Sequence, residues 1–135
     1  MVNFKRAAER LGLPVYIGNY RHARTDGRAI FIPSTLTQDD DRLRALIHEA
    51  AHIVLGALYT SRPSRAIREL EAEAAAAAVC KALGIPVGDS KLYIKAWIKA
   101  VPASVRRANV ERAAFAGSII LRIIGGRDEI QEAAD

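Results

Sequence analysis

The run His48-Glu49-Ala50-Ala51-His52 constrains this chain more than any other stretch of it. Two histidines four apart can face one point only if the backbone between them is helical, because side chains at i and i+4 then project from the same face. Glu49 falls about 100° further round the same helix, beside the face the two imidazoles share. Two imidazole nitrogens converging beside a carboxylate suit zinc: the nitrogens ligate, and the carboxylate can take a proton from water at the ion. The chain holds three histidines, so finding two of them in one such motif is not a product of composition.

The flanking residues predict a packed helix around the motif, from about Thr37 to Leu58. Thr37 with Asp40 reads as a capping box, and Asp39 to Asp41 suit the positive end of a helix. Leu43, Leu46, Ile47, Ala50, Val54 and Leu58 repeat at helical spacing and form one apolar stripe. A catalytic zinc takes three protein ligands and leaves one position open, so a further ligand is expected downstream. There Ser64 caps a second helix, which Gly84 and Pro86 end. On it Glu69 and Glu73 share a face, while Glu71 points nearly the opposite way. Glu69 is expected to be the third ligand, and Glu73 to accept a hydrogen bond from a ligand histidine and fix its tautomer. Glu71 is read as a solvated charge balancing Arg62, Arg65 and Arg68. The alanines from Ala74 to Ala78 are strong helix formers that would let the two zinc helices approach closely.

HEAAH followed by E-x-E-A-E-x(3)-A resembles the ImmA/IrrE-type metallo-endopeptidases, whose pattern is HExxH and then E-x-x-A-(N/D/E) on the next helix. Residue by residue, the resemblance implies His48, His52 and Glu69 as zinc ligands and Glu49 as general base. Ala72 takes the small position and Glu73 the polar one. From Glu69 to Leu83, with Tyr93, Ile94 and Trp97 beyond, the chain looks still more like the peptidase domain of ArdC- and LtrC-type plasmid proteins. The similarity spans about Ala29 to Trp97. The alanines at Ala75 to Ala77 stand where relatives carry a larger apolar residue, a departure that bears on pocket shape rather than on metal binding. The resemblance implies a minimal zincin-like α+β domain and hydrolysis of a peptide bond, with one Zn2+ per chain and a protein substrate such as a transcriptional repressor in a stress or mobile-element setting. It further implies that Ala29, Ile30, Phe31 and Ile32 form a strand along the cleft whose free edge pairs with extended substrate.

The remainder is compatible with one domain over 1–135, with a polar tail from Gly125 onward expected to fray. NFKRAAERLG reads as an amphipathic helix rather than a signal peptide, and charges interrupt every apolar stretch, so no membrane span is expected. Of the PVYIGN and RAIFIP segments, each reads as a strand, paired as an antiparallel hairpin with a turn at Asp26-Gly27. His22, in the loop between them, is read as a surface residue. Lone Cys80 lies among apolar neighbours, which reads as a buried thiol and fits a cytoplasmic setting. A third helix is expected over about Ser90 to Ala100. A fourth, about Ala103 to Ile124, would pack behind the site through Val105, Val110, Ala113, Ala114, Ile120 and Ile124 and end at Gly125-Gly126. Tyr93 is a candidate to hydrogen-bond the developing oxyanion, though an aromatic beside Trp97 also suits a core.

The chain carries 20 Lys and Arg against 15 Asp and Glu, a net charge of +5. Arg21, Arg24, Arg28 and Arg106-Arg107 raise a second reading, a DNA-associated antirestriction-type or regulatory protein whose zinc domain is structural. The aromatics are few and not interleaved with these arginines, so no base-stacking platform is evident and the peptidase reading is preferred.

Overall fold

The computed structural model describes residues 2–87, 94–96, 98–99 and 101–134. In chain order these form α1 (Phe4–Leu11), β1 (Val15–Gly18), β2 (Arg24–Thr25), β3 (Ile30–Pro33), α2 (Asp39–Leu58), α3 (Arg65–Leu83) and α4 (Ala103–Ala134). Residues 94–96 and 98–99, inside the helix expected over Ser90 to Ala100, are helical as well. The class is mixed α+β, dominated by helix, with one small sheet.

Local chemistry fixes most helix ends. The Asn3 side chain accepts the Arg6 N–H at 2.8 Å to start α1, and Gly12 closes it in the left-handed region. Ser64 accepts the Ile67 N–H to start α3, and Gly84, at φ 74°, ends it while the Ile85 N–H returns to the Cys80 carbonyl. The start of α2 departs from expectation. Gln38 is its N-cap and makes no side-chain capping bond, so the Thr37–Asp40 capping box does not form. Asp39 instead turns its carboxylate to the Phe4 N–H, an orphan donor of α1, and so docks the start of one helix on the start of another. The three aspartates of the first turn still face the positive end of α2.

The sheet corrects the expected hairpin. Its order is β1-β3-β2, with β1 parallel to β3 in register Val15↔Ile30 and β2 antiparallel to β3 in register Arg24↔Phe31. The Asp26-Gly27 turn does form, but it joins β2 to β3: Asp26 Oδ1 accepts the N–H groups of Arg28 and Ala29, and Gly27 takes φ 90°. The chain between β1 and β3 is long enough to carry a short return strand, and that strand takes the antiparallel partnership.

The core lies between the sheet and the helices. Ile30 and Ile32 of β3 meet Leu43, Leu46, Ile47 and Leu55 of α2, all essentially inaccessible to solvent. Ala72, Ala75 and Ala76 are buried on α3. Small residues also line the facing side of α4, where a Cβ added at Gly117 would come within 3.4 Å of the Ala75 carbonyl oxygen. The alanine-rich helix is therefore a spacer that sets backbone separation rather than a bulky filler. The buried face of α4 runs Asn109, Ala113, Ala116, Gly117, Ile120 and Ile124. Ala113, Ile120 and Ile124 bury as expected, whereas Val105, Val110 and Ala114 are exposed, because the stripe that meets α3 admits an asparagine and a glycine in place of those valines. Gly126, at φ 68°, breaks α4, whose backbone is helical again to Ala134. The Arg10 guanidinium donates to the carbonyls of Ile124 and Gly125 at 2.9 and 2.8 Å, pinning this break to α1. Cys80 is buried, and burial pushes its thiol up to about 11. Among the described residues no helix is long and apolar enough to cross a membrane.

Candidate metal centre

The middle of α2 carries His48 and His52 on one face, with ring centroids 4.9 Å apart. Glu49, buried beside them, completes a trio whose ligand atoms all lie within 4.8 Å of one another. Helix α3 crosses so that Glu69 meets both rings: its carboxylate oxygens lie 3.4 Å from His48 Nε2 and 3.1 Å from His52 Nε2. One turn on, Glu73 accepts a hydrogen bond from His48 Nδ1 at 2.9 Å. Helical spacing alone brings these groups to one place: i and i+4 on α2 face i and i+4 on α3.

The donor chemistry can hold a cation. With Nδ1 of His48 donating to Glu73, a neutral ring turns only a lone pair from Nε2 towards Glu69, which itself only accepts. His52 Nε2 faces the same carboxylate. His52 can donate from Nε2 as a neutral tautomer, so either His48 alone carries an extra proton or one cation is shared by both nitrogens and the carboxylate. Donors bound at about 2.0–2.1 Å to a tetrahedral ion stand roughly 3.3–3.4 Å apart, and the two nitrogen–oxygen separations here are 3.4 and 3.1 Å. The group therefore fits a divalent metal with nitrogen and oxygen ligands. Electrostatics already divide the two rings. Burial opposes charge on His48, but the Glu73 hydrogen bond and the charges of Glu73, Glu49 and Glu69 outweigh it and raise its pKa. Burial dominates at His52 and lowers its pKa. Glu49 is raised by burial, with His48 pulling it down and Glu69 adding to the rise.

These groups open onto a cleft of about 930 Å3. One side of it is His22 to Gly27, which includes β2; another is Tyr59 with Arg62, Arg65 and Arg68. The expectation that Ala29 to Ile32 offer a free strand edge is corrected here. Strand β3, which begins at Ile30, is central: β1 pairs it along its length and β2 covers its other side at Ile30 and Phe31, so the sheet edge that reaches the cleft is β2. His22, expected at the surface, is exposed and sits on the cleft lining. Tyr93 and Trp97 lie outside the described residues.

Glu71 is the second correction. It is not a solvated charge: it is fully buried, and its oxygens accept hydrogen bonds from the Tyr59 hydroxyl at 2.9 Å and Asn109 Nδ2 at 2.6 Å. Arg112 adds a two-pronged pair, Nε to Oε1 at 2.9 Å and NH2 to Oε2 at 2.8 Å. This network ties the end of α2 to α3 and α4 and keeps Glu71 apart from the histidine cluster. Asn109 was its sequence signal, a polar residue at helical spacing with Ala113, Ala116 and Ile120. Tyr59 carried none; it borders the cleft only because it is the residue on which α2 stops.

No protein family model, no curated protein and no solved structure matches this chain.

Proposed function

We propose that the chain is a zinc-dependent endopeptidase. The observation that carries this reading is the position of Glu69, whose carboxylate abuts both Nε2 atoms of the HEAAH motif while Glu73 occupies the remaining nitrogen of His48. In this reading His48, His52 and Glu69 hold the ion, and Glu73 keeps the Nε2 lone pair of His48 directed at it. Zinc, when bound, supplies Lewis acidity towards water and the scissile carbonyl. Glu49 takes a proton on its carboxylate from the attacking water. As the C–N bond breaks it delivers that proton to the departing amine nitrogen, leaving a new carboxyl and a new amino terminus. Glu49 is largely buried yet lines the cleft beside both histidines, which suits a base that meets a water held there. The resemblance to ImmA/IrrE-type enzymes makes a transcriptional repressor the first substrate to try.

The test has two parts. Elemental analysis of protein purified without added zinc should find one zinc per chain, sharply reduced in His48→Ala and Glu69→Ala. Digestion of a denatured protein substrate should then be lost in Glu49→Gln, by roughly 10²–10⁴-fold, with the metal retained. A Glu49→Gln chain that cuts as well as the parent would end the proposed mechanism.

A further inference from the structure

The cleft around the histidine centre is lined by four arginines, Arg24, Arg62, Arg65 and Arg68, and by three carboxylates, Asp26, Glu49 and Glu69. Two of those carboxylates belong to the histidine centre, and the third, Asp26, already accepts two backbone N–H groups of its own turn. The arginines are not similarly satisfied. Arg62 and Arg65 are exposed, and among the described residues neither has an ion-pair or hydrogen-bond partner. Arg24 is exposed and lies over the Phe31 ring at 4.3 Å, and among the described residues its guanidinium has no ion-pair or hydrogen-bond partner. Arg68 is fixed by donating to the Pro63 carbonyl and immediately precedes Glu69, so the row from Arg62 leads from the surface to the ligand set.

We infer that the cleft selects peptide segments carrying acidic side chains beside the bond that is cut, with Arg62, Arg65 and Arg24 as the recognising cations. The inference deepens the peptidase reading and rests on it for cleavage, but not for binding. Unpartnered guanidiniums flanking a hydrolytic centre present forked donors at the spacing a carboxylate accepts, and each such contact is stronger than a neutral hydrogen bond. Nucleic acid, whose phosphates would also suit arginine, is disfavoured because the neighbouring aromatic faces are occupied. Phe31 is stacked by Tyr16 and covered by Arg24, and Tyr20 packs edge-on against it, so its ring offers no face for a base.

The experiment uses the full chain as Glu49→Gln with zinc and three labelled peptides of one length. They share an apolar centre and carry acidic, neutral or basic flanks; a duplex DNA of matching charge is the fourth probe. Binding is read by fluorescence anisotropy and cleavage by the parent protein on the same peptides. The acidic peptide should bind at least about tenfold more tightly than the other two, with an affinity that falls as salt rises. That preference should vanish in Arg62→Glu/Arg65→Glu. It should survive in Arg107→Glu/Arg122→Glu, which makes the same charge change at α4 residues that do not line the cleft. Glutamate at position 65 enters the first turn of α3, where the helix dipole favours it, so the reversal is expected to fold. Selective binding with no cleavage of any peptide would remove the peptidase reading and leave this inference standing. Cleavage without a charge preference would do the reverse. Tighter binding of the duplex, lost on the same reversal, would overturn the inference in favour of a nucleic-acid ligand.

Discussion

Glu69 and Glu71 stand two residues apart on α3 and meet opposite electrostatic surroundings. Glu71 is wholly buried, yet a guanidinium, an amide and a phenol satisfy it. Glu69 is two-fifths exposed and faces two imidazole nitrogens, of which that of His48 offers a proton only when the ring is charged. The first arrangement is closed around the carboxylate: both Glu71 oxygens accept more than one hydrogen bond. The second is open, two imidazoles and a carboxylate converging on one point. A satisfied buried charge holds three helices together, whereas two imidazoles and a carboxylate converging at the edge of a cleft can hold a cation. The helical period alone separates these roles, since a step of two residues turns the side chain about 200°.

The contrast can be broken most forcefully by substitution of the two glutamates. Glu71→Ala leaves the Arg112 charge and the Asn109 amide without their partner and should cost about 3–5 kcal/mol of stability in urea denaturation. Zinc content per folded chain should be unchanged. Glu69→Ala should do the opposite: metal-free stability within about 1 kcal/mol of the parent, but zinc affinity down by more than the roughly 10–100-fold typical of an outer partner. A Glu71→Ala chain that folds normally but loses zinc would erase the distinction.

Zinc itself provides the next measure. If Glu69 and the two histidines form a ligand set only in the folded chain, free zinc at a hundred times its dissociation constant should stabilise the parent by about 2.7 kcal/mol. The His52→Ala chain should gain little. Equal stabilisation of both would place the metal elsewhere.

How the two glutamates differ was only half legible in the sequence. The period put Glu69 and Glu73 on one face because both signals lie on the same helix, and the HEAAH spacing located its own face in the same way. Which element covers the opposite face depends on how a helix 38 residues further on packs, as the Asn109 to Glu71 bond shows. Local periodicity does not carry that information. For the same reason Val105 and Val110 looked like packing positions, although α4 turns Asn109 inward instead. Ser64 and Gly84 were readable because a cap is made by its own neighbours. The parallel pairing of β1 was not: it depends on β2, two residues too short to show any alternation. Arg62, Arg65 and Arg24 were visible as charge, but only the fold brings them around one cleft.

Glu73 tests how far the open arrangement depends on its support. Replacing it by Gln keeps size and one acceptor but removes the charge that holds the Nδ1 proton of His48. Zinc affinity should fall about 10–100-fold, with the metal still bound at saturating concentration. No change, with the Glu69 effect intact, would mean that the second carboxylate contributes nothing to ligand orientation.

The finest test lies on the closed side, at Tyr59. Tyr59→Phe removes one of the donors to Glu71 while Arg112 and Asn109 remain, so it should cost only about 0.5–1.5 kcal/mol near neutral pH. Its pH dependence is more diagnostic than its size. Burial, then the hydrogen bond and charge of Glu71, hold the Tyr59 phenol well above its ordinary value, against a smaller opposing pull from Arg112. Once pH passes about 10, unfolded chains lose this proton and folded chains keep it. The native state then binds more protons than the unfolded state, so stability falls as pH rises. Phenylalanine has no such proton. The stability advantage of the parent over Tyr59→Phe should therefore be constant up to about pH 9 and shrink above pH 10. An advantage that persists unchanged into that range would mean that the phenol is not held by Glu71, and that the network closes without it.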